Sequence, residues 1–407
     1  MNKKRGDKFI LGFWNYNDIQ HSGIDQIPRW ADLGLNVAMT PYLRNDDEAK
    51  AFLPGWLDAL AANGMKAILR FNDIGDSVLK NKGEAFFREA FMRRYNEFGK
   101  HPGVLGFYPG EEPNEGNYQY FAEELRLMNE MAPELTPFVD LGACEEHTRY
   151  IGEHAHTPNC GFGNYSQMEP EERGTDDYFR IMRKQIEVCD EYDMDCWATL
   201  LSSGHYRFRE PGYYDYVWQI NTAAACGCTG IVWFRLYDKL IAADYHGSPI
   251  NEFGENGIHY DDMRRAQKRF MHHHGELIMK LQRQATFMIK TRYGGYPIFP
   301  KEGYSKIRRA FCSDTFLGYY DKETTPGIVS FFKDDAGEEY VALVNNNPYV
   351  SGSITVDLDP SVTVFERVYE NGKVRISGRD NHGDRTALPT YAEIWLAPGQ
   401  MEIFHIG

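Results

Sequence analysis

The chain has little cysteine for its length, seven residues in 407, an odd number without regular spacing. That excludes a disulfide framework. Cys226 and Cys228 stand two apart in a stretch that reads as helical, the wrong geometry for a zinc knuckle. Cys160 and Cys196, both near strand starts, leave room for one bridge. Basic charge is scarce as well: Lys and Arg total 44 against 59 Asp and Glu, for a formal net charge of −15. Such a balance argues against a phosphate-binding surface for nucleic acid and against anionic lipid. No run is long and apolar enough to span a bilayer. The start, Met1-Asn-Lys-Lys-Arg-Gly6, is basic but lacks the apolar core of a signal peptide, and Asp7-Lys-Phe-Ile-Leu-Gly12 runs straight into a strand. Localisation stays open between the cytoplasm and a periplasmic or secreted site reached by a leader since removed. No Gly-x-Gly-x-x-Gly follows the first strand, so a dinucleotide site has no support and no cofactor is expected. Internal repeats and low-complexity linkers are missing too, which predicts that the parts of the chain pack closely.

What is present starts with length. A chain of 407 residues exceeds what one compact core usually absorbs, so two domains are expected. Aromatic residues reach 14%, with 26 Tyr and 7 Trp. That composition suits stacking against sugar rings, and equally a large aromatic core. From Phe9 to about Gln282, short apolar strands alternate with amphipathic helices in eight β-then-α units. The expected strands are 9–15, 36–42, 66–71, 104–108, 136–141, 160–165, 196–201 and 230–236. That rhythm predicts an α/β fold, a (β/α)8 TIM barrel over residues 1–292. After about Tyr293 only β-like runs remain, among them Ile328–Phe332, Tyr340–Val344, Gly352–Leu358 and Met401–Ile406. Asn371-Gly372 between two such runs signals a tight hairpin. Residues 293–407 are therefore expected to form a small antiparallel β-sandwich that braces the barrel.

The chemistry is concentrated at strand ends. Gly103–Asn114 reads as a buried strand that ends on Glu111, Glu112 and Pro113, where a barrel holds catalytic groups. Adjacent acids disfavour double ionisation, so one of them tends to keep its proton. Successive strand residues point to opposite sides, so the two carboxylates cannot face the barrel axis alike. Other strand ends supply Trp14, Asn15, Tyr42, Arg44, Arg70, Asn72, Asp73, Tyr165, His205, Tyr206, Trp233 and Arg235. Rings with Asn, Asp and Arg donors in one concave site have the composition of a sugar pocket. Position alone leaves Trp14 and Trp233 open between pocket and barrel core, while Trp197, near a strand start, belongs to the core. Arg235 inside an apolar strand needs a buried anion, either a protein carboxylate or an acidic substrate group. His272-His273-His274 lies on the last helix, where consecutive residues face different ways and cannot share one metal.

At Gly103–Asn114 the chain resembles the retaining, β-galactosidase-like glycoside hydrolases with TIM barrels, whose fourth strand ends in Asn-Glu-Pro. Glu112-Pro113 matches, and Glu111 replaces the asparagine. Tyr216–Phe234, with its Gln, small-residue helix and aromatic strand, is similar to the segments that close such barrels. Leu396-Ala-Pro-Gly-Gln-Met-Glu-Ile-Phe404 resembles the last strand of their β-sandwich. The resemblance implies a carbohydrate substrate, an O-glycosidic bond to be cut in an oligo- or polysaccharide, and Glu112 as general acid/base, with Glu111 binding a cation or a sugar hydroxyl. It also implies a nucleophilic Glu at the end of the seventh strand, and there the chain departs from the pattern: Cys196–His205 contains no acid. Glu210, past that strand, and Asp238, at the end of the eighth, are the candidate second carboxylates, with Asp140 and Glu169 behind them. Carboxyls about 5–5.5 Å apart would indicate retention and about 6.5–9.5 Å inversion. Two alternatives follow from the same residues. One is a carbohydrate-binding relative that lacks the nucleophile. The other is a metal-dependent sugar isomerase or epimerase using Glu112, Asp140 and His205.

Overall fold

The expected alternation closes into a barrel. The structure, a computed structural model, describes residues 6, 8–75, 78–169, 172–239, 242, 244–314, 324–378 and 391–407. Strands one to eight are Ile10–Phe13, Val37–Met39, Lys66–Leu69, Val104–Phe107, Val139–Asp140, Asn159–Gly163, Asp195–Leu201 and Gly230–Phe234. They are followed in turn by helices Ile27–Leu33, Asp46–Ala62, Glu84–Arg94, Tyr118–Met131, Glu145–Ala155, Glu172–Glu191, Tyr213–Cys226 and Tyr260–Phe270. Gly110–Glu111 continues the fourth strand and pairs in parallel with the fifth.

Local chemistry sets these boundaries. The Asn45 side chain accepts from the Glu48 N–H at 2.9 Å and caps the second helix. The first helix ends at Gly34, whose φ of 91° suits a residue without Cβ. One parallel sheet holds strands two, three and four, and the other holds the remaining strands. Two seams join them. Asn36 N–H donates to Leu11 O at 2.9 Å between strands one and two. Thr136 and Phe138 N–H donate to Leu105 and Phe107 O at 2.8 and 3.0 Å between strands four and five. The barrel interior is filled by Trp14, Val37, Met39, Ile68, Tyr108, Phe138, Trp197 and Val232. Trp197 is thus core, as its position near the strand start predicts. Cys160 and Cys196 are register partners on adjacent strands, yet both are free thiols.

The C-terminal part is a sandwich of a six-stranded and a three-stranded antiparallel sheet. Its first strand, Gln282–Ile289, pairs with Gly327–Lys333, so this sheet begins ahead of residue 293. Side chains on the six-stranded sheet alternate between two partners. Ile328, Phe332, Tyr340, Ala342, Val344, Met401 and Ile403 join the main core of the barrel. Val329, Phe331, Val341, Leu343, Phe404 and Ile406 face the smaller sheet. With both faces buried, these strands read as continuous apolar runs. Trp218 Nε1 on the barrel donates to Asn346 Oδ1 at 2.8 Å, and Asn221 Nδ2 donates to Gly399 O at 2.9 Å. Barrel and sandwich therefore pack closely. The Asn371-Gly372 turn joins strands Phe365–Tyr369 and Val374–Ser377 with φ of 56° and 96° at its two residues. Among the described residues no helix is long and apolar enough to cross a membrane.

Candidate active site

Three carboxylates come together where strands four and five reach the C-terminal mouth. Glu112 turns the chain there. Its φ is 43°, in the left-handed region, and its N–H donates to Asp140 O at 2.7 Å. That turn sends the two neighbouring acids different ways. Glu112 is exposed at the mouth, and its Cγ lies 3.6 Å from where a Cβ on Gly142 would stand. Glu111 is half-buried and accepts from the Tyr16 hydroxyl at 3.2 Å. Burial pushes the Glu111 carboxyl up, against the pull of Tyr16, Arg70 and Tyr108, while the Glu112 charge adds to the rise.

Asp140 is the buried member, 3% exposed. Its carboxylate accepts from the Thr199 hydroxyl and from Gly142 N–H at 2.8 Å. Burial pushes it up to about 6 despite those two donors, helped by the charges of Glu112 and Glu111. A carboxyl with a raised folded-state value binds more protons folded than unfolded over that interval. Its contribution to stability is present near pH 4 and is lost as pH rises through about 6. A shift of about two units corresponds to on the order of 3 kcal/mol. Urea denaturation at pH 4 to 7 should show wild-type stability falling across this window from Asp140, and Asp140→Asn should flatten the fall. Identical pH slopes for the two proteins would contradict the assignment.

Around the carboxylates the mouth is aromatic. Trp14 is buried, donates Nε1 to Thr199 Oγ1 at 3.4 Å and stacks on Tyr16 at 5.9 Å. Tyr165 stacks on Phe234 at 5.3 Å, and its hydroxyl is pushed up by burial, then by the charges of Asp140 and its neighbours. His205 stacks on Tyr245 at 4.9 Å, and its Nδ1 lies 3.2 Å from Ser203 O; burial pulls its value down. Arg235 lies 5.6 Å over the Tyr16 ring and 5.4 Å over that of Tyr245. Beside Tyr16 a cleft of about 500 Å³ runs over the ends of strands one to three. Asn15, Tyr42, Arg44, Arg70, Asn72 and Asp73 line it. Asn15 Nδ2 is tied to Met39 O at 3.2 Å, Arg70 lies 5.7 Å over the Tyr108 ring, and Tyr42 is 58% exposed.

Three residues singled out from the sequence have other partners. Trp233 is fully buried between strands and helices and donates Nε1 to Gln267 Oε1 at 2.9 Å. Its neighbour Val232 takes the interior position instead. Glu210 lies against Gly247, 3.7 Å from His259 Nε2. Asp238 accepts from Ser248 N–H at 3.0 Å and pins its own loop; burial raises its carboxyl. Arg207 and Arg209 pair with Glu169 and Asp215. Among the described residues no group of three or more His, Cys, Asp or Glu side chains is placed to hold a metal ion, so Glu112, Asp140 and His205 are not gathered as a ligand set.

Sequence reasoning did not single out Tyr16, Tyr108, Thr199 or Tyr245. Tyr16 was within reach, since it stands two residues past Trp14, the spacing of one strand face. Tyr245 lies in a loop with no periodic signal.

No protein-family model and no curated protein matches the chain. Solved structures share its architecture. The fold is that of TIM-barrel glycoside hydrolases with a β-sandwich. A GH51 arabinofuranosidase from Xanthomonas axonopodis pv. citri superposes with a TM-score of 0.52 at 10% identity, covering 100% of this chain and 98% of that one. A family 39 glycoside hydrolase from Bacteroides cellulosilyticus WH2 gives 0.52 at 10% identity, covering 100% of this chain and 82% of its own. A β-galactosidase from Rahnella sp. R3 gives 0.51 at 10% identity over 70% of this chain, which spans only 58% of that enzyme's length. At such identities the likeness to glycoside hydrolases is one of fold.

Proposed function

We propose that this protein is a glycosidase that cleaves an O-glycosidic bond in an oligo- or polysaccharide held at the C-terminal mouth of its barrel, with Glu112 as general acid. The observation that carries the reading is the gathering of Glu111, Glu112 and Asp140 at two adjacent strand ends, beneath aromatic rings. Glycoside hydrolysis needs a proton delivered to the leaving oxygen and a second carboxyl to stabilise or attack the anomeric carbon. Glu112 is the exposed acid and reaches a bound sugar. The Asp140 carboxylate is already engaged by the Thr199 hydroxyl and Gly142 N–H, so it acts on charge and position rather than by contact. Glu210 and Asp238 are engaged in loops by His259 and Ser248, and Glu111, gathered with Glu112, serves as the second carboxyl. Tyr16, Tyr42 and the cleft beside them supply stacking faces and polar edges for further sugar units.

One observation favours a second reading. The seventh strand ends in Leu201-Ser202-Ser203, where the resembling enzymes carry their nucleophile, and a carbohydrate-binding protein without catalysis needs none. Turnover of a panel of aryl glycosides separates the two. Release of the aryl group above background is the expected result. Sugar binding without release from any substrate would favour the second reading.

A further inference from the structure

Arg235 breaks a pattern that the buried Arg94 and the half-buried Arg209 and Arg283 follow. Arg94, 3% exposed, meets Asp46 at 2.5 Å and Asp73 at 2.9 Å. Arg209 forms a two-pronged pair with Asp215 at 2.5 and 2.7 Å. Arg283 likewise meets Asp190 at 2.5 Å. Burying a guanidinium is costly unless an anion compensates it, and each of these has one. Arg235 is 4% exposed, and among the described residues no carboxylate pairs with it directly. Its Nε donates to Tyr237 O at 2.7 Å and one terminal nitrogen reaches Asn17 Oδ1 at 3.5 Å, a weak contact for a group with five donors. Asp238, the nearby acid, is held by Ser248 N–H at 3.0 Å and acts on Arg235 through its charge rather than by a direct pair. Two ring faces complete the surroundings, Tyr16 and Tyr245.

The position of this cation, without a direct carboxylate partner, gives it a use. The Tyr16 hydroxyl donates to Glu111, and the Tyr16 ring face lies against Arg235. A sugar ring resting there has the carboxylate cluster on one side and the guanidinium on the other. Glu111, Glu112 and Asp140 repel an anion on their side, which favours an acidic group of the substrate on the side of Arg235. We infer that Arg235 recognises an anionic substituent and that the substrate carries an acidic sugar, with a carboxylate or a sulfate on the unit held in the mouth. Both anions accept two parallel N–H donors from a guanidinium, and the flanking rings keep its plane fixed. This inference rests on the glycosidase reading for its chemistry, though not for its binding.

The test compares wild type, Arg235→Met and Arg235→Lys on nitrophenyl glycosides of glucuronic and galacturonic acid, of 6-sulfated glucose, and of glucose and galactose, in both anomeric forms. Wild type is expected to prefer one anionic class over its neutral counterpart by about 100-fold, the range set by charge-assisted hydrogen bonds. The uronide and sulfate arms distinguish the two anions. In Arg235→Met that preference should collapse towards one, and Arg235→Lys should keep part of it. A wild-type enzyme that turns over neutral glycosides as well as anionic ones would overturn the inference while leaving the glycosidase reading intact. If no glycoside is turned over, calorimetry with glucuronate, glucose 6-sulfate and glucose decides. Binding of an anionic sugar that Arg235→Met abolishes would uphold the inference although the glycosidase reading fails. Failure to bind either anionic sugar would overturn it.

Discussion

Glu112→Gln is expected to lower kcat/KM for glycosides with poor leaving groups by about 10²–10⁴-fold, the usual contribution of a positioned general acid. Glutamine keeps the shape of the side chain and removes only the proton that can be given. Glu112 is exposed, and among the described residues its side chain makes no hydrogen bond that its loss would disturb, so the melting temperature should change little. Its backbone N–H to Asp140 O, at 2.7 Å, survives the exchange. Glu111→Gln probes a different role. Glu111 accepts from the Tyr16 hydroxyl at 3.2 Å, and an amide oxygen still accepts there. What disappears is the charge that would face the anomeric carbon. Steady-state kinetics of both variants should therefore show losses of different character, one sensitive to the leaving group and one not. Full activity in Glu112→Gln, with activity lost only in Glu111→Gln, would exchange the two assignments.

Gly106→Ala is expected to destabilise the protein by about 3 kcal/mol or more, at the upper end of overpacking costs. Gly106 lies in the fourth strand, which delivers Glu111 and Glu112. A Cβ there would stand 1.7 Å from Thr136 O, 2.4 Å from Thr136 C and 3.0 Å from Pro137 N. All three are backbone atoms, so no side chain can swing aside. Relief requires strands four and five to part where two N–H donors of residues 136 and 138 close the barrel. The seam and the carboxylate pair beyond it would shift together. Thermal unfolding should show a melting point lower by roughly 3–5 °C, or the variant should fail to accumulate as soluble protein. A melting point unchanged to within a degree would contradict the packing of this seam.

The fold was legible because its signals are redundant. Alternating strand and helix periods and the Asn371-Gly372 turn point the same way, and barrel and sandwich follow from them. The last barrel helix was less so. Its amphipathic pattern reads on to Gln282, whereas regular α-helix ends at Phe270, passes through a π-helical turn over Met271–Gly275 and closes at Ile278. The following Gln282–Ile289 belongs to the sandwich sheet, because its β-branched and aromatic positions pair with Gly327–Lys333.

The site was harder to read for a physical reason. In a strand with both faces apolar, sequence does not say which alternate residues point inward. Gly230–Phe234 is such a strand, and so Trp233 faces the helices while Val232 fills the barrel. Loop acids posed the other difficulty. Glu210 and Asp238 follow strand ends in sequence, but contacts to His259 and Ser248, distant in the chain, decide where they point. Arg235 was read as needing an anion. Contact geometry, which no sequence pattern carries, then showed that the described protein residues provide no direct ion pair, only the nearby charge of Asp238.

The most direct measurement is the dependence of kcat/KM on leaving-group acidity for wild type and Glu112→Gln, using glycosides from 2,4-dinitrophenyl to unsubstituted phenyl. The account predicts near-normal rates for the variant on the dinitrophenyl substrate, whose leaving group departs without a proton, and a loss beyond 10²-fold on the phenyl glycoside. An equal loss across all leaving groups, or no loss on any, would contradict a proton donor at the end of the fourth strand.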